Sequence, residues 1–567
     1  MIRKTATYLL VISSIIFCSS ANAAVPSRYG GTLSLYTQTD PRTFNPVTTQ
    51  ETSSTAVLSL IFEGLTRIDG HTGEVLPQLA QSWQVDETGT EWTVNLRSDV
   101  LWSDGEPFTA DDVVFTFGEI IANPAIAANS KNVFIIDGQP VTVEKINDFQ
   151  VRFNTPGKFA PFLQALSQPI VPKHCLAEAV ANGTFNEAWH VGVRENSIVG
   201  TGPFCLNRYV PGSFIELTRN RQYWKHTDTG TRLPYLDRIV FRIISNPDLA
   251  LVAFKNKELD IYPVRGSDYA WLEPLAATHH FTITKSLPSL MSFFLSFNQC
   301  TRIDPLFRRP YIPAEKLQWF RNVNFRKAVA YAIDRDAIGN LVFYGFADPE
   351  YSPMNKATGY FYDGDVTRYS YDVSRARALL KQEGIYDRDG DGVCEDTAGN
   401  PIVFSIVTNA DNPAREQVAH LIAENLRAIG FDVRVTLVEF NALVAKLTTR
   451  YDWESVLMGF TGVVDPHFAS NVWRSDGPLH LWYPREKKPA TEWEQEIDNI
   501  FDAGVKELDR EKRKALYDRW QEIAADKVPF IYITVPQIMY AIQGRVHDCE
   551  PTPLGGVTDS IDEVYVE

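Results

Sequence analysis

An α/β protein of two or more domains is what this sequence predicts, and three observations carry the prediction. At 567 residues the chain is too long for a single core. Its 44% hydrophobic and 12% aromatic content fills large cores and excludes a disordered chain. From Pro401 onward, strand-like and helix-like runs alternate, the pattern of helices packed on a largely parallel sheet.

The N-terminus reads as an export leader. Arg3 and Lys4 precede a short apolar run from Tyr8 to Phe17, and Ala21-Asn22-Ala23 supplies the small-x-small cleavage pattern, so residues 1–23 are expected to be removed. Bulky Phe17 before Cys18 argues against a lipid-anchored product. The apolar run is too short to span a bilayer and no later run is long enough, so no stable membrane insertion is expected. The formal net charge is −16, and loss of Arg3 and Lys4 leaves −18. That balance excludes the basic footprint of a nucleic-acid binder. Cys175, Cys205, Cys300, Cys394 and Cys549 remain after cleavage. They lack the CxxC spacing of a zinc site. Their odd count leaves one thiol over, and Cys175 with Cys205 is the favoured disulfide pair in an oxidising compartment.

Along the chain, Gly31 to Leu35 open as a strand. Trp83, Val85, Trp92, Val94 and Leu96 alternate with polar residues, as half-buried strands do. Glu87 to Gly89 and Asp104-Gly105 mark turns, and Thr109 is placed to cap a helix from Ala110. Gly200, Gly202 and Pro203 precede an alternating strand pair, and Arg238 to Ile244 forms another strand. Leu287 to Asn298 is strand-like and rich in Phe. Phe325, Val329, Ala332 and Ile333 fall at helical spacing behind Asn322 or Asn324 as cap. Asp372 and Gly384 bracket the next helix. Then come a strand from Ile402 to Val407, a helix from Ala414 to Ile429 stopped by Gly430, a strand from Val433 to Val438, a helix containing Leu443 to Leu447, and a strand from Ser455 to Phe460. Thr491 and Glu494 form a capping box before a helix with Trp493, Ile497, Ile500 and Val505 on one face. Asp509 caps the following helix, Pro529 ends it, and Phe530 to Val535 is a strand.

Several of these segments carry a family likeness. LAQSWQVDETGTEWTVNLRSDVLWSDGEPFTADDVVFTF (79–117) and NVNFRKAVAYAIDR (322–335) are the specific ones, supported by FEGLTRIDGHTGEVLPQLAQSW (62–83) and VGTGPFCLNRYVPGSFIELTRNRQYW (199–224). Phe254 to Ile261 resembles the family's short helix ending in ELDI. Together they resemble the family 5 extracellular solute-binding proteins, the dipeptide- and oligopeptide-binding receptors of bacterial ABC importers. The resemblance implies a two-lobed periplasmic binding protein fold (type II, cluster C-like), with mixed sheets in each lobe and a two-segment hinge. It implies lobe I over 24–286 with an extra subdomain, lobe II over 287–530, and a return to lobe I over 531–567. It also implies a periplasmic monomer that closes on a short peptide and docks on an inner-membrane permease. An oligosaccharide or a metal chelate such as a nickel complex is the alternative cargo.

The segment GFTGVVDPHFASNVW (459–473) is similar to the family's ligand loop, which implies that Asp465 pairs with a peptide's α-ammonium group. The chemistry is sound, because an ammonium buried in a closing cleft needs an anionic acceptor. Asp-Pro shaping a turn is the plain structural reading of the same residues. Thr461 and Gly462 are placed to present backbone to an extended ligand, Trp473 to wall a pocket, and Glu51 and Thr52 to open a helix at the cleft. The resemblance also implies an arginine for the peptide carboxylate. Arg368, Arg375 and Arg377 lie in the right region, but none sits in a matching motif. His467 is a weak metal-chelate ligand on its own. Asp387, Asp389 and Asp391 resemble half of an EF-hand loop, a candidate structural calcium site in a chain with no other expected cofactor; Ala398 stands where the twelfth-position Glu belongs. No HExxH, GxSxG or phosphate-binding loop is present, which argues against a secreted hydrolase.

Overall fold

A computed structural model describes residues 28–49, 51–304, 308–484 and 486–567; the expected leader and Cys18 lie outside them. Two groups of sheets, each with its own core, make two lobes. In the first, Thr32–Thr37 runs parallel to Arg238–Ile243, which continues antiparallel to Phe214–Arg219 and Phe204–Val210. An inserted antiparallel sheet orders Ala80–Val85, Glu91–Leu96, Gln150–Asn154 and Thr142–Asn147. Trp92, Val94 and Leu96 are buried there as their alternation predicts, but Val85 is 39% exposed because its strand is an edge strand. Thr109 caps Ala110–Val114 in a full capping box with Asp112. The helix expected from Phe254 lies earlier, at Pro247–Lys255, where Asn246 caps it; Ile261 instead begins the strand Ile261–Pro263.

The second lobe holds a mixed sheet in the order Leu287–Pro288, Phe530–Ile538, Ser292–Phe297, Ser455–Phe460, Val403–Asn409, Asp432–Val438. Its last three strands run parallel and the rest antiparallel, so the expectation of a largely parallel sheet holds only for that half. Helix Val323–Ala332 packs on this sheet. Phe325, Val329, Ala332 and Ile333 are fully buried, and the Asn322 side chain accepts from the Asn324 and Phe325 N–H groups. Arg326 of the same helix is also buried. Its guanidinium donates to the carbonyls of Phe320, Lys527 and Val528, satisfying carbonyls at the end of helix Arg510–Lys527.

The two lobes are joined by a hydrogen-bonded ribbon of both crossings. Leu287 pairs with Ile538 and Pro288 with Gln537. Ser289 N–H donates to Pro536 O at 3.1 Å and Thr284 N–H to Tyr540 O at 2.9 Å. The strand from Phe530 stays in the second sheet as far as Pro536. Beyond Pro536 the chain pairs with Leu287–Pro288 and then, from Tyr540, with Ile261–Pro263 of the first lobe.

Candidate functional site

The seam between the lobes is where the carboxyl ends of Val403–Asn409 and Ser455–Phe460 meet the hinge. Ligands of open α/β sheets bind at such strand ends. At the outer rim the lobes touch. Arg510 pairs with Glu74 at 3.0 Å, Ala160 N–H donates to Val505 O at 2.7 Å, and His467 packs edge-on against Phe159 at 5.3 Å. The seam is thus closed at its rim in this structure.

Asp465 stands on the loop after the strand Ser455–Phe460, but its carboxylate is already engaged. Arg513 donates to both oxygens, at 2.6 and 2.7 Å, and His467 N–H donates to one of them at 2.9 Å. Arg513 also donates to Gly504 O at 2.7 Å. Both side chains are more than nine-tenths buried. A bidentate internal partner thus competes with any ammonium for Asp465, and the bond from the His467 N–H shapes the turn. Burial works against the Arg513 charge, and Asp465 more than offsets it, holding the guanidinium above its ordinary range.

The other expected site residues divide. Gly462 donates its N–H to Leu290 O in the hinge at 3.1 Å, and a Cβ there would lie 2.5 Å from that oxygen. Its small size therefore serves hinge packing rather than approach to a ligand. Thr461 beside it is exposed. Trp473 is buried within 5.2 to 5.6 Å of Trp482, Trp520 and Phe530, so it is a core residue rather than a pocket wall. Glu51 precedes helix Thr52–Leu58 without capping it through its side chain; its carboxylate accepts from Arg42 N–H at 3.1 Å and bonds Ser54 and Thr49. Thr52 is exposed. His467 is half-buried, its pKa pushed down to about 4 chiefly by desolvation.

Arg368, Arg375 and Arg377 are exposed on the second lobe. They bond the Gly364 carbonyl, cover the Tyr331 ring and bond the Ala428 carbonyl respectively. The arginine that sequence reasoning missed is Arg415. It is 8% exposed, one nitrogen donates to Asn409 Oδ1 at 2.6 Å, and its Nε is buried without a partner. It forms no ion pair of contact length among the described residues, although the Asp411 carboxylate acts on its charge from further away, and it lies 5.6 Å over the Phe293 ring. Its place three residues after the cap Asn412 gave no sign of this.

Asp387, Asp389, Asp391 and Glu395 bring carboxylate oxygens within 4.8 Å of one another, with Glu395 in place of the missing twelfth-position acid. Asp387, Asp389 and Asp391 accept N–H groups of their own exposed loop, which accounts for the cluster as a turn. Cys175 and Cys205 are free thiols. Cys175 lies on helix Lys173–Ala181 and Cys205 on strand Phe204–Val210, so the expected bridge is not formed. Among the described residues no helix is long and apolar enough to cross a membrane.

Two lobes joined by a paired ribbon, each built on a mixed sheet, form the α/β periplasmic binding protein fold. Residues 74–478 match the model of the bacterial extracellular solute-binding proteins, family 5 Middle. The chain belongs to that family and is a solute-binding protein, not an enzyme. A probable ABC transporter-binding protein of Deinococcus radiodurans is 26% identical over 91% of this chain and 89% of its own. The oligopeptide-binding protein AppA of Bacillus subtilis is 26% identical over 94% of each chain. AppA's structure with a nonapeptide superposes with a TM-score of 0.71, covering 95% of this chain and 99% of that one at 23% identity. The periplasmic alpha-galactoside-binding protein of Rhizobium meliloti is 26% identical over 84% of this chain and 72% of its own.

Proposed function

We propose that this protein is the substrate-binding component of a bacterial ABC importer, acting in the periplasm as a monomer, and that its cargo is short peptides. Arg415 is the observation that carries the peptide reading. A buried guanidinium with no acid in contact, offset only from a distance by Asp411, favours an anionic or carbonyl-bearing guest, because an unpaired buried charge is costly. A peptide's C-terminal carboxylate supplies that partner, whereas a neutral sugar does not. The similarity to AppA supports the same reading. Main-chain groups and bridging waters at the seam would hold the rest of the peptide with little regard for its sequence.

The experiment is native mass spectrometry of gently purified protein, followed by calorimetry with free and C-amidated peptides. A co-purified peptide mixture is expected, with amidation weakening binding at least about 30-fold, equivalent to ~2 kcal/mol for a desolvated charge pair. Arg415→Gln should abolish that discrimination. A retained oligosaccharide or metal chelate, or equal affinity for both peptides in the unaltered protein, would sink the peptide reading.

A further inference from the structure

Away from the seam, His480, Glu486 and Glu494 converge inside the second lobe. Each is at least 96% buried. His480 Nε2 lies 3.8 Å from a Glu486 oxygen and 3.9 Å from Glu494 Oε1, and one donor atom from each residue falls within 4.8 Å of the other two. The walls are aromatic. Trp482 lies tilted against the imidazole with ring centres 3.8 Å apart, and Trp473 lies beyond it.

Hydrogen bonding leaves this cluster with donor atoms and nothing to receive them. His480 Nδ1 is 3.2 Å from Val472 O, which places the ring proton on that nitrogen and leaves an Nε2 lone pair facing the two acids. Nε2 and the Glu486 oxygens have no hydrogen-bond partner of good geometry; the Ala490 backbone N–H approaches Glu486 and the imidazole approaches Glu494 only weakly. Glu494 is held in place by Trp482 Nε1 at 2.8 Å and the Thr491 hydroxyl at 2.7 Å, each oxygen keeping a lone pair. Among the described residues no lysine or arginine pairs with any of the three. Two carboxylates around one imidazole nitrogen, buried with no lysine or arginine in contact among the described residues, call for a positive charge between them, either a metal ion or a proton on Nε2.

We propose that His480, Glu486 and Glu494 form a structural site for a divalent cation of the zinc class. Nitrogen and oxygen donors at ~2.0–2.2 Å around a tetrahedral ion sit about 3.4 Å apart, so the two imidazole–carboxylate gaps need close by only about 0.5 Å, and the gap between the two acids, within 4.8 Å, by at most about 1.4 Å. Glu486, held at most by the weak approach of the Ala490 N–H, supplies a fourth donor atom by chelation. The Val472 carbonyl on Nδ1, and Trp482 and Thr491 on Glu494, orient the ligands from behind. The ion would tie the segment carrying His480 and Glu486 to the first turn of helix Glu492–Gly504. A proton is the rival occupant, since burial and then the Glu494 charge push Glu486 up to about 8.

The test uses the full, untagged chain. The protein is unfolded with chelator, refolded with and without zinc, and counted for metal by native and plasma mass spectrometry. One zinc per chain is expected, with a higher Tm and, on cobalt substitution, the visible bands of a four-coordinate site. Glu486→Gln keeps the side chain's shape and should weaken zinc at least about 100-fold, as should His480→Gln, while Asp389→Asn in the exposed acidic loop should not. If a variant does not fold, chelator-driven loss of metal and Tm in the unaltered protein remains decisive. A refolded chain that takes up no zinc, or metal retained by folded Glu486→Gln, would overturn the site and leave the proton as occupant.

Discussion

Asp465 shows how a residue's internal partner escapes a local reading of the sequence. An aspartate before a proline at a strand end signals a cap, and it does accept the His467 N–H. Its second role depends on Arg513, 48 residues further on, which no local pattern assigns to it. One sign was available. Arg513 shares the inward face of its helix with Tyr517, Trp520 and Ala524, all buried, and an arginine on an apolar face asks for an acid. Because the pair is buried, Asp465→Ala should cost about 3–5 kcal/mol of stability by stranding the guanidinium. The double variant Asp465→Ala with Arg513→Met should recover part of that loss. Urea titration of the three proteins checks both statements. Discrimination between free and N-acetylated peptide should be the same in folded Asp465→Asn as in the unaltered protein; a selective loss would favour the amine-anchor role.

At the scale of elements, caps and stops were legible because they are local. Thr109, Asn322, Asp372, Thr491 and Asp509 each accept an N–H in the first turn they were expected to cap. Gly384 and Gly430 take positive φ beyond their helices. Strand order was not legible, because pairing of Ser292–Phe297 with Phe530–Ile538 joins segments more than 200 residues apart. The hinge belongs to this scale as well. Gly462→Ala would push a methyl group into the Leu290 carbonyl, so it should destabilise by about 1–3 kcal/mol, the usual cost of overpacking. It should also lower peptide affinity by disturbing the ribbon. Chemical denaturation and calorimetry measure the two effects, and unchanged values in both would show that the contact has no mechanical role.

For the whole molecule, closure joins surfaces that are apart in sequence, and ligand favours it through contacts made with both lobes. Small-angle scattering should show a more compact particle with saturating peptide than without; identical profiles would remove the clamp from the account. Closure should also weaken in acid. His467 packs on Phe159 across the rim and titrates near 4 when closed, against ~6.5 when free in water. A depressed histidine disfavours protonation of the closed form. Its contribution is therefore complete above about pH 6.5 and fades as pH falls toward 4, by at most ~1.4 kcal/mol per pH unit. Peptide affinity should drop up to about 30-fold between pH 7 and 5 on this account, and His467→Gln should flatten that dependence in calorimetry. The rim pair Arg510–Glu74 is half-exposed and should add less than about 1 kcal/mol.

By itself the sequence determined the family, the α/β class, the caps and the buried faces of the main helices, since these follow from short-range spacing of apolar, capping and turn residues. Only the tertiary structure decided which charges are spent and which are free: Asp465 neutralised by Arg513, Arg415 left without an acid in contact, His480 and two glutamates gathered in a dry core. A charge's role is set by its distance to the nearest opposite charge and by the water it has lost. Both arise when distant segments pack.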